Sequence, residues 1–375
     1  MADVFTIEGK IKKNSYQFKI RPKLSVMNFL DAMQRNRKVF KSKFLENETI
    51  TISVWTTPKR TKTYPFARVY DTLSYDGIKI TIIPAMVDYG KHGERGKIQP
   101  STVDWMTSIG VYLILGIYVH AEKGKKGKMA ANAGSKTQSS EGKPKFAQGQ
   151  KFDTDYLQKQ IETIIKTKPD VKEWNEKQLE MIPEFLEKGI EIYKKLGAKL
   201  NVPLGNFAKM EYDVRRWRKD SKQFLKDCEE ASKGAQNRET VSDHVLEDVP
   251  GNKGKINIDF GESRKLYLTS DSMVLEKGTV TLLEGKNTSS GKYPVMGDVK
   301  DALIKLMIFR SSDFEFEGEE LEKKLVCYLT GKHKDVEDDL QKITDENEFR
   351  DNCKSLIDEC SANDIELVLN RRIIK

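Results

Sequence analysis

The sequence feature that most constrains the fold is a strand–turn–strand–helix pattern between residues 265 and 310. Two segments rich in β-branched and apolar residues, LYLTSDSMVL and TVTLLEGKN, flank the turn Glu276-Lys277-Gly278 and predict a β-hairpin. After a loop, GDVKDALIKLMIFR (297–310) predicts an amphipathic helix with Gly297-Asp298 as its N-cap. The apolar stripe of this helix comprises Val299, Ala302, Leu303, Leu306 and Met307. The pattern therefore predicts a mixed α/β core.

Three side chains of the hairpin form a candidate catalytic group. Asp271 lies on or just after the first strand, and Glu284 and Lys286 end the second, where period-two alternation places them on one face. Two neighbouring carboxylates repel each other unless a cation neutralises them, and hard oxygen ligands favour Mg²⁺. An ammonium group beside them can orient a water or stabilise a charged transition state. These residue types predict phosphodiester hydrolysis, although the pattern alone also fits a salt-bridged surface hairpin.

The distribution of charge favours a polyanionic partner. The chain has 375 residues, with 65 Lys and Arg against 57 Asp and Glu, and a formal net charge of +8. Residues 1–150 carry 26 basic and 12 acidic side chains, a net of +14, whereas the rest of the chain has a net of −6. Since Lys and Arg bind nucleic acids by neutralising phosphates, the basic part is a candidate nucleic-acid surface. A lysine-rich chain that is simply well solvated is the alternative.

Composition excludes several other classes. No apolar run is long enough to span a membrane and the N-terminus lacks the apolar stretch of a secretory signal, so we expect a cytoplasmic protein. The cysteines have no CxxC spacing and the histidines are scattered, which disfavours a zinc site. These residues are Cys228, Cys327, Cys353 and Cys360, and His92, His120, His244 and His333.

Shifts of composition and periodicity divide the chain into four regions. Residues 1–121 are basic and β-rich, 122–150 form a flexible low-complexity loop, 151–248 are helical, and 249–375 contain the catalytic core. Within these regions we expect a basic helix at 26–44, a strand at 67–73, a buried helix that can end in a strand within 103–121, and a helix start or kink at Pro183.

The hairpin and its surroundings resemble the PD-(D/E)xK nucleases and, among them, type II restriction endonucleases. In that group Glu-x-Lys is followed by a Pro-Ser-x-x-Asp-Ile-Lys-Asp-Gly-Leu helix, whose place is taken here by Tyr293-Pro294 and Asp298-Val299-Lys300-Asp301-Ala302-Leu303. KEWNEKQLEMI matches a Trp-Asn element, and the resemblance covers residues 78–310. Two departures stand out: Val87-Asp88-Tyr89-Gly90 replaces a Lys-Asp-Glu-Gly loop, and Ser272 stands where a second acid often follows the metal-binding Asp.

The resemblance implies a fold and a role for each motif residue. The fold would be a restriction-endonuclease-like core, with a central mixed sheet flanked by helices. Asp271 and Glu284 would bind Mg²⁺ together with the backbone carbonyl of Gly285, and Lys286 would position or help activate the attacking water. An upstream helical acid assists in some members; Glu239 is the candidate here, with Glu230 and Glu247 as rivals. DNA contacts are expected from Lys91, Arg95 and Lys97 in a Gly-rich loop, and from Lys59, Arg60 and Lys62.

The function implied by the resemblance is that of an Mg²⁺-dependent, site-specific endonuclease that cuts double-stranded DNA to 5′-phosphate ends. Cutting both strands favours a homodimer on a palindromic site, and a restriction role implies a cognate DNA methyltransferase in a prokaryotic host. Two alternatives stay open. One is a nuclease of the same fold that acts in repair or recombination, and the other is a non-catalytic nucleic-acid-binding protein.

Overall fold

The computed structural model describes residues 4–12, 15–44, 48–55, 66–86, 98–123, 147–201, 207–241, 252–261, 264–288, 293–331 and 349–374. The chain forms two compact units, each built from segments that are distant in sequence. Unit 1 comprises Met1–Leu24, Thr61–Asp76 and Glu229–Lys375, and unit 2 comprises Ser25–Arg60 and Gly77–Cys228. Residues 1–121, which were predicted as one region, therefore contribute to both units.

The expected mixed α/β class is confirmed by the order of strands and helices. The strands are β1 (Thr6–Ile11), β2 (Val39–Lys43), β3 (Thr49–Val54), β4 (Lys79–Pro84), β5 (Tyr112–Gly116), β6 (Tyr118–Lys123), β7 (Ala147–Phe152), β8 (Asn252–Asp259), β9 (Lys265–Glu276), β10 (Thr279–Asn287), β11 (Ser312–Phe316), β12 (Glu319–Thr330), β13 (Ile365–Leu369) and β14 (Arg372–Ile374). The helices are α1 (Phe29–Gln34), α2 (Phe66–Leu73), α3 (Pro100–Ser108), α4 (Thr154–Thr167), α5 (Val171–Glu180), α6 (Ile182–Leu200), α7 (Phe207–Lys219), α8 (Ser221–Val241), α9 (Met296–Arg310) and α10 (Phe349–Ala362).

Unit 1 is organised by a mixed sheet whose strand pairings close on themselves. The hairpin-linked strands β8, β9 and β10 are antiparallel, and β10 then pairs in parallel with β12. β1 lies between β8 and β11, and β11 pairs with the first residues of β12. These pairings close a ring in the order β10-β9-β8-β1-β11-β12, and β13 and β14 extend the sheet from β12. The closure joins the two ends of the chain's sequence, so no local pattern predicted it.

From Val299 to Phe309, helix α9 is buried around its whole circumference between the sheet and α2. The helix lies where the sequence predicted it, but it is not amphipathic, so that part of the prediction was wrong. The expected cap was also wrong, because the N-cap residue is Val295 and it makes no side-chain capping bond. Since every face of the helix is covered, its polar side chains Lys300, Asp301 and Lys305 are buried as well. Burial forces each of them to find a charged or hydrogen-bonding partner.

Unit 2 is built on a smaller sheet with the strand order β2-β3-β4-β5. β2 pairs antiparallel with β3, and β3, β4 and β5 are parallel. Side-chain amides of α5 pair with the backbone of β5: Asn175 Oδ1 accepts from Leu113 N at 2.8 Å, and Gln178 Oε1 accepts from Leu115 N at 3.0 Å. The helix thereby satisfies backbone groups of the last strand in this sheet, which would otherwise be unpaired.

Local expectations failed where tertiary pairing decided the backbone conformation. Residues 67–73, expected as a strand, lie in α2, because Phe66, Val69, Tyr70 and Leu73 recur at helical spacing and are buried together. The helix expected at 26–44 ends at Gln34, and β2 follows it to pair with β3. The segment 103–121, in contrast, contains the end of the buried helix α3 and then β5, as expected for a helix that ends in a strand.

Two further features bear on the expected organisation. Pro183 lies in the first turn of α6, which confirms the predicted helix start. β7 begins at Ala147, inside the segment expected to be a flexible loop. Among the helices of the described ranges, none has both the length and the apolar character that crossing a bilayer requires.

Candidate active site

A tight hairpin turn sets the register that brings the two candidate carboxylates together. Lys277 and Gly278 both have positive φ, at 48° and 77°, and Glu276 pairs with Thr279 across the turn. A turn with two left-handed residues is the favoured connection between right-twisted antiparallel strands, and it fixes their register. Pairing continues as far as Leu283 opposite Ser272, so the next positions along the strands are Glu284 and Asp271. The predicted hairpin is thus confirmed down to its turn.

An irregularity in β9 lies at Asp271. Asn252 and Gly254 of β8, two residues apart, pair with Met273 and Ser270 of β9, which are three residues apart. β9 therefore carries one extra residue at Asp271 or Ser272, which is a β-bulge of the kind that redirects side chains beside functional sites. In this arrangement the backbone N–H of Gly285 donates to Asp271 Oδ2 at 2.9 Å.

The side chain of Ser270 supports the bulge. Its hydroxyl lies 2.9 Å from the Leu283 carbonyl oxygen, as donor, and 3.2 Å from Leu283 N, as acceptor, and it also lies within donor distance of the Ser272 carbonyl oxygen. One buried hydroxyl thereby links β9 to β10 immediately before the two carboxylates. We infer that it limits the freedom of Asp271 relative to Glu284.

The carboxyl group of Glu284 is almost inaccessible to water, with 1% of the residue exposed. Burial and then the nearby charge of Asp271 raise its pKa to about 8, although Lys305 and Lys286 act in the opposite direction. A buried carboxyl beside a second acid is harder to ionise than an exposed one, and an added cation would favour its ionised form. This electrostatic state is the clearest chemical signature of the site.

Lys305 of α9 is a site residue that sequence reasoning missed. Its Nζ lies 2.6 Å from Glu284 Oε1, an ion pair in which that oxygen makes no well-aligned hydrogen bond. Burial alone would lower the pKa of Lys305, but attraction to Glu284, Asp271 and Glu239 outweighs burial and raises it. The one signal in the sequence was a lysine inside the apolar run ALIKLMIF (302–309), and only the burial of the helix around this run gives that signal meaning.

Lys286 and Glu239 act electrostatically on the pair formed by Glu284 and Lys305. Lys286 is half-buried and its charge acts on Glu284. Glu239 is half-buried near the end of α8, and its charge acts on Lys305. α8 is fastened to the sheet by Gln236, whose Nε2 donates to the Leu268 carbonyl of β9 at 2.6 Å. The predicted acid on α8 thus lies in the electrostatic neighbourhood of the hairpin carboxylates.

The other predicted site residues fare differently. Glu230 is exposed on α8, and nothing in the structure connects it with the hairpin acids. Glu247 and all the predicted DNA contacts (Lys59, Arg60, Lys62, Lys91, Arg95 and Lys97) lie outside the described residues. The metal-binding role of the Gly285 carbonyl stays a prediction.

Comparison with protein families, with curated proteins and with solved structures found no significant match to this chain.

The donor side chains of the site can be compared with the ligands that Mg²⁺ usually takes. Among the described residues, no group of three or more His, Cys, Asp and Glu side chains is arranged to hold a metal ion. The hairpin supplies two such side chains, Asp271 and Glu284, in positions where their negative charges disfavour each other. Mg²⁺ commonly binds through one or two carboxylates and keeps several waters, so this smaller donor set fits it.

Proposed function

We propose that the chain is an Mg²⁺-dependent endonuclease that hydrolyses phosphodiester bonds of double-stranded DNA, most simply as a site-specific restriction enzyme. The observation that carries the proposal is the placement of Asp271 and Glu284 directly after the last paired residues of β9 and β10, with the charge of Lys286 acting on Glu284. Two carboxylates and an ammonium group in one place are the residue types that metal-assisted phosphodiester hydrolysis requires.

The order of elements around the site supports the resemblance to PD-(D/E)xK nucleases. α8 precedes the antiparallel strands β8, β9 and β10, and α9 then leads by way of β11 to β12, which is parallel to β10. This is a mixed sheet with a helix before and a helix after the two strands that carry the acids. The closed ring formed with β1 and β11 is a feature that the resemblance did not imply.

Each residue has a distinct task in the proposed reaction. Asp271 and Glu284 would hold Mg²⁺, and the hydrogen bond from Gly285 N to Asp271 Oδ2 would keep one carboxylate oriented while its other oxygen binds. Bound Mg²⁺ would lower the pKa of a water and neutralise charge on the phosphate oxygens. Lys286 would orient that water or stabilise the negative charge that develops at phosphorus. The exclusion of bulk water around Glu284 would strengthen each of these interactions.

DNA as the substrate is supported by charge. The net of +14 in residues 1–150 provides the phosphate-neutralising side chains that duplex binding needs. Because each site holds one pair of hairpin carboxylates, a homodimer on a palindromic sequence is the simplest way to cut both strands.

The test is a digest of supercoiled plasmid with and without Mg²⁺. The wild-type chain should yield discrete linear fragments only with Mg²⁺, and Asp271→Asn should yield none while it still binds DNA. Glu276→Gln, which alters an exposed acid at the far end of the same strand, is the matched control and should cut normally. Cleavage by Asp271→Asn at the wild-type rate would reject the proposal.

The same assay separates the alternatives. Preferential cutting of branched DNA over long duplexes would assign the chain to repair or recombination. Binding with a steep salt dependence but no cleavage at any Mg²⁺ concentration would indicate a non-catalytic nucleic-acid-binding protein.

A further inference from the structure

The ammonium group of Lys305 has no task in the proposed reaction, yet it is buried and in contact with a candidate metal ligand. Its Nζ is 2.6 Å from Glu284 Oε1, and the charges of Asp271 and Glu239 also act on it. One buried cation from α9 therefore shares its surroundings with acids from β9, β10 and α8. A lysine is rarely buried unless a specific interaction compensates the loss of hydration.

A second buried lysine on the same helix shows what an ordinary structural ion pair looks like here. Lys300 Nζ lies 2.8 Å from Asp71 Oδ1, and this pair joins α9 to α2. Lys305 lies five positions after Lys300, which turns the two side chains about 140° apart around the helix. Within the described ranges, Lys300 thus pairs with Asp71 on a different side of the helix, whereas Lys305 faces the candidate metal ligands.

We propose that Lys305 is the built-in counter-cation of this site: it holds the Glu284 carboxylate in place beside Asp271 when no metal is bound, and it opposes the binding of a divalent cation to the same carboxylates. The inference rests on the proposed function in one respect, namely that Asp271 and Glu284 bind such a cation. It assigns to Lys305 a positioning role, distinct from that of a group that touches the substrate.

The proposal predicts that removal of the Lys305 ammonium group weakens the metal-free fold but strengthens metal binding. Without metal, removal of the ammonium group leaves acids uncompensated in a buried place, which destabilises the fold. With metal, the same removal takes away a positive charge that repels the incoming cation, which strengthens binding. A lysine that was merely structural would show the first effect without the second.

The experiment measures Ca²⁺ binding to the full chain by isothermal titration calorimetry, because Ca²⁺ takes the same oxygen ligands and no DNA is needed. Lys305→Met should lower the Ca²⁺ dissociation constant by about tenfold or more, because it removes a buried positive charge beside the ligands. Lys300→Met is the matched control; it should lower thermal stability but change the dissociation constant by less than about twofold. Lys305→Arg should keep the wild-type affinity, since the positive charge is restored.

A second measurement covers the case in which Lys305→Met does not fold in chelator. Its circular dichroism is then followed as Ca²⁺ is added, and recovery of the folded spectrum is the expected result. Equal or weaker Ca²⁺ binding by Lys305→Met, or no recovery of the spectrum, would overturn the proposal.

The outcome is separable from that of the nuclease assay. If the wild-type chain cuts no DNA but Lys305→Met binds Ca²⁺ more tightly, the proposed function fails and the role of Lys305 stands. If the wild-type chain cuts DNA and the affinity of Lys305→Met is unchanged, the role of Lys305 fails and the proposed function stands.

Discussion

Two glutamates of unit 1 are almost equally buried but have different neighbours. Glu284 is 1% exposed and Glu359 is 0% exposed. Glu359, on α10, accepts hydrogen bonds on both oxygens. Oε1 accepts from the hydroxyls of Tyr16, at 2.8 Å, and Tyr70, and Oε2 accepts from the backbone N–H groups of Lys19 and Ile20, both at 2.8 Å. Glu284 is instead in contact with the ammonium group of Lys305, and the charges of Lys286 and Asp271 act on it as well.

The difference separates a structural acid from a candidate catalytic one. Burial raises the pKa of Glu359, but its four donors act to lower it, so the group is satisfied by neutral partners. At Glu284 the charge of Asp271 adds to burial in raising the pKa. The groups that act to lower this pKa are the ammonium groups of Lys305 and Lys286, and none of them is a neutral hydrogen-bond donor. A buried acid that lies beside a second acid is unusual in a stable protein unless it serves a function.

The largest expected effect is on catalysis at the hairpin. Asp271→Asn and Glu284→Gln should each slow single-turnover plasmid cleavage by about 10³-fold or more, because each removes a carboxylate that would hold Mg²⁺. The double variant should be no slower than the slower single variant, since the acids act as one unit. Effects that multiply would show that the two residues work independently.

The hairpin was the part of the site that the sequence could predict. Glu276-Lys277-Gly278 is a local turn signal, and alternation along TVTLLEGKN is enough to place Glu284 and Lys286 on one face. Lys305 could not be found in this way, because its contact with Glu284 depends on how α9 packs onto β10. The ring closure through β1 and β12, and the donors that tie residues 16–20 to Glu359, are likewise non-local. The DNA-contacting residues stay predictions.

The second expected effect is on stability, at Glu359. Glu359→Gln replaces an acceptor-only carboxylate by an amide whose NH₂ faces a donor, so it should lower the free energy of unfolding by about 2–4 kcal/mol. Urea unfolding measures this, with the exposed neighbour Asp358→Asn as the control. Unchanged stability would mean that the donors around Glu359 are readily satisfied by other groups.

The third effect is a pH dependence of stability carried by Glu284. Its pKa is about 8 in the folded chain and lies near 4.5 when exposed, so between these values the folded state binds more protons than the unfolded state. Stability of the metal-free protein should therefore fall as pH rises from 5 to 8, by on the order of a few kcal/mol. Urea unfolding of Glu284→Gln should lack this decline, and parallel curves for the two proteins would contradict the assignment.

The smallest effect concerns the bulge. Ser270→Ala removes the hydroxyl that links β9 to β10 and should lower the free energy of unfolding by about 1–2 kcal/mol. Because Asp271 would then be less firmly placed, plasmid cleavage should slow by about tenfold. Loss of stability without any change in cleavage would show that the bulge geometry does not depend on this hydroxyl.

The contrast between the two glutamates is tested most directly by one measurement: the initial rate of supercoiled-plasmid cleavage with Mg²⁺ by equal amounts of folded wild type, Glu284→Gln and Glu359→Gln. We predict that Glu359→Gln cuts within about threefold of wild type, since a structural acid acts through the folded fraction alone. Glu284→Gln should give no product in the same time. Cleavage by Glu284→Gln at the wild-type rate, or no cleavage by the wild-type chain, would contradict the account.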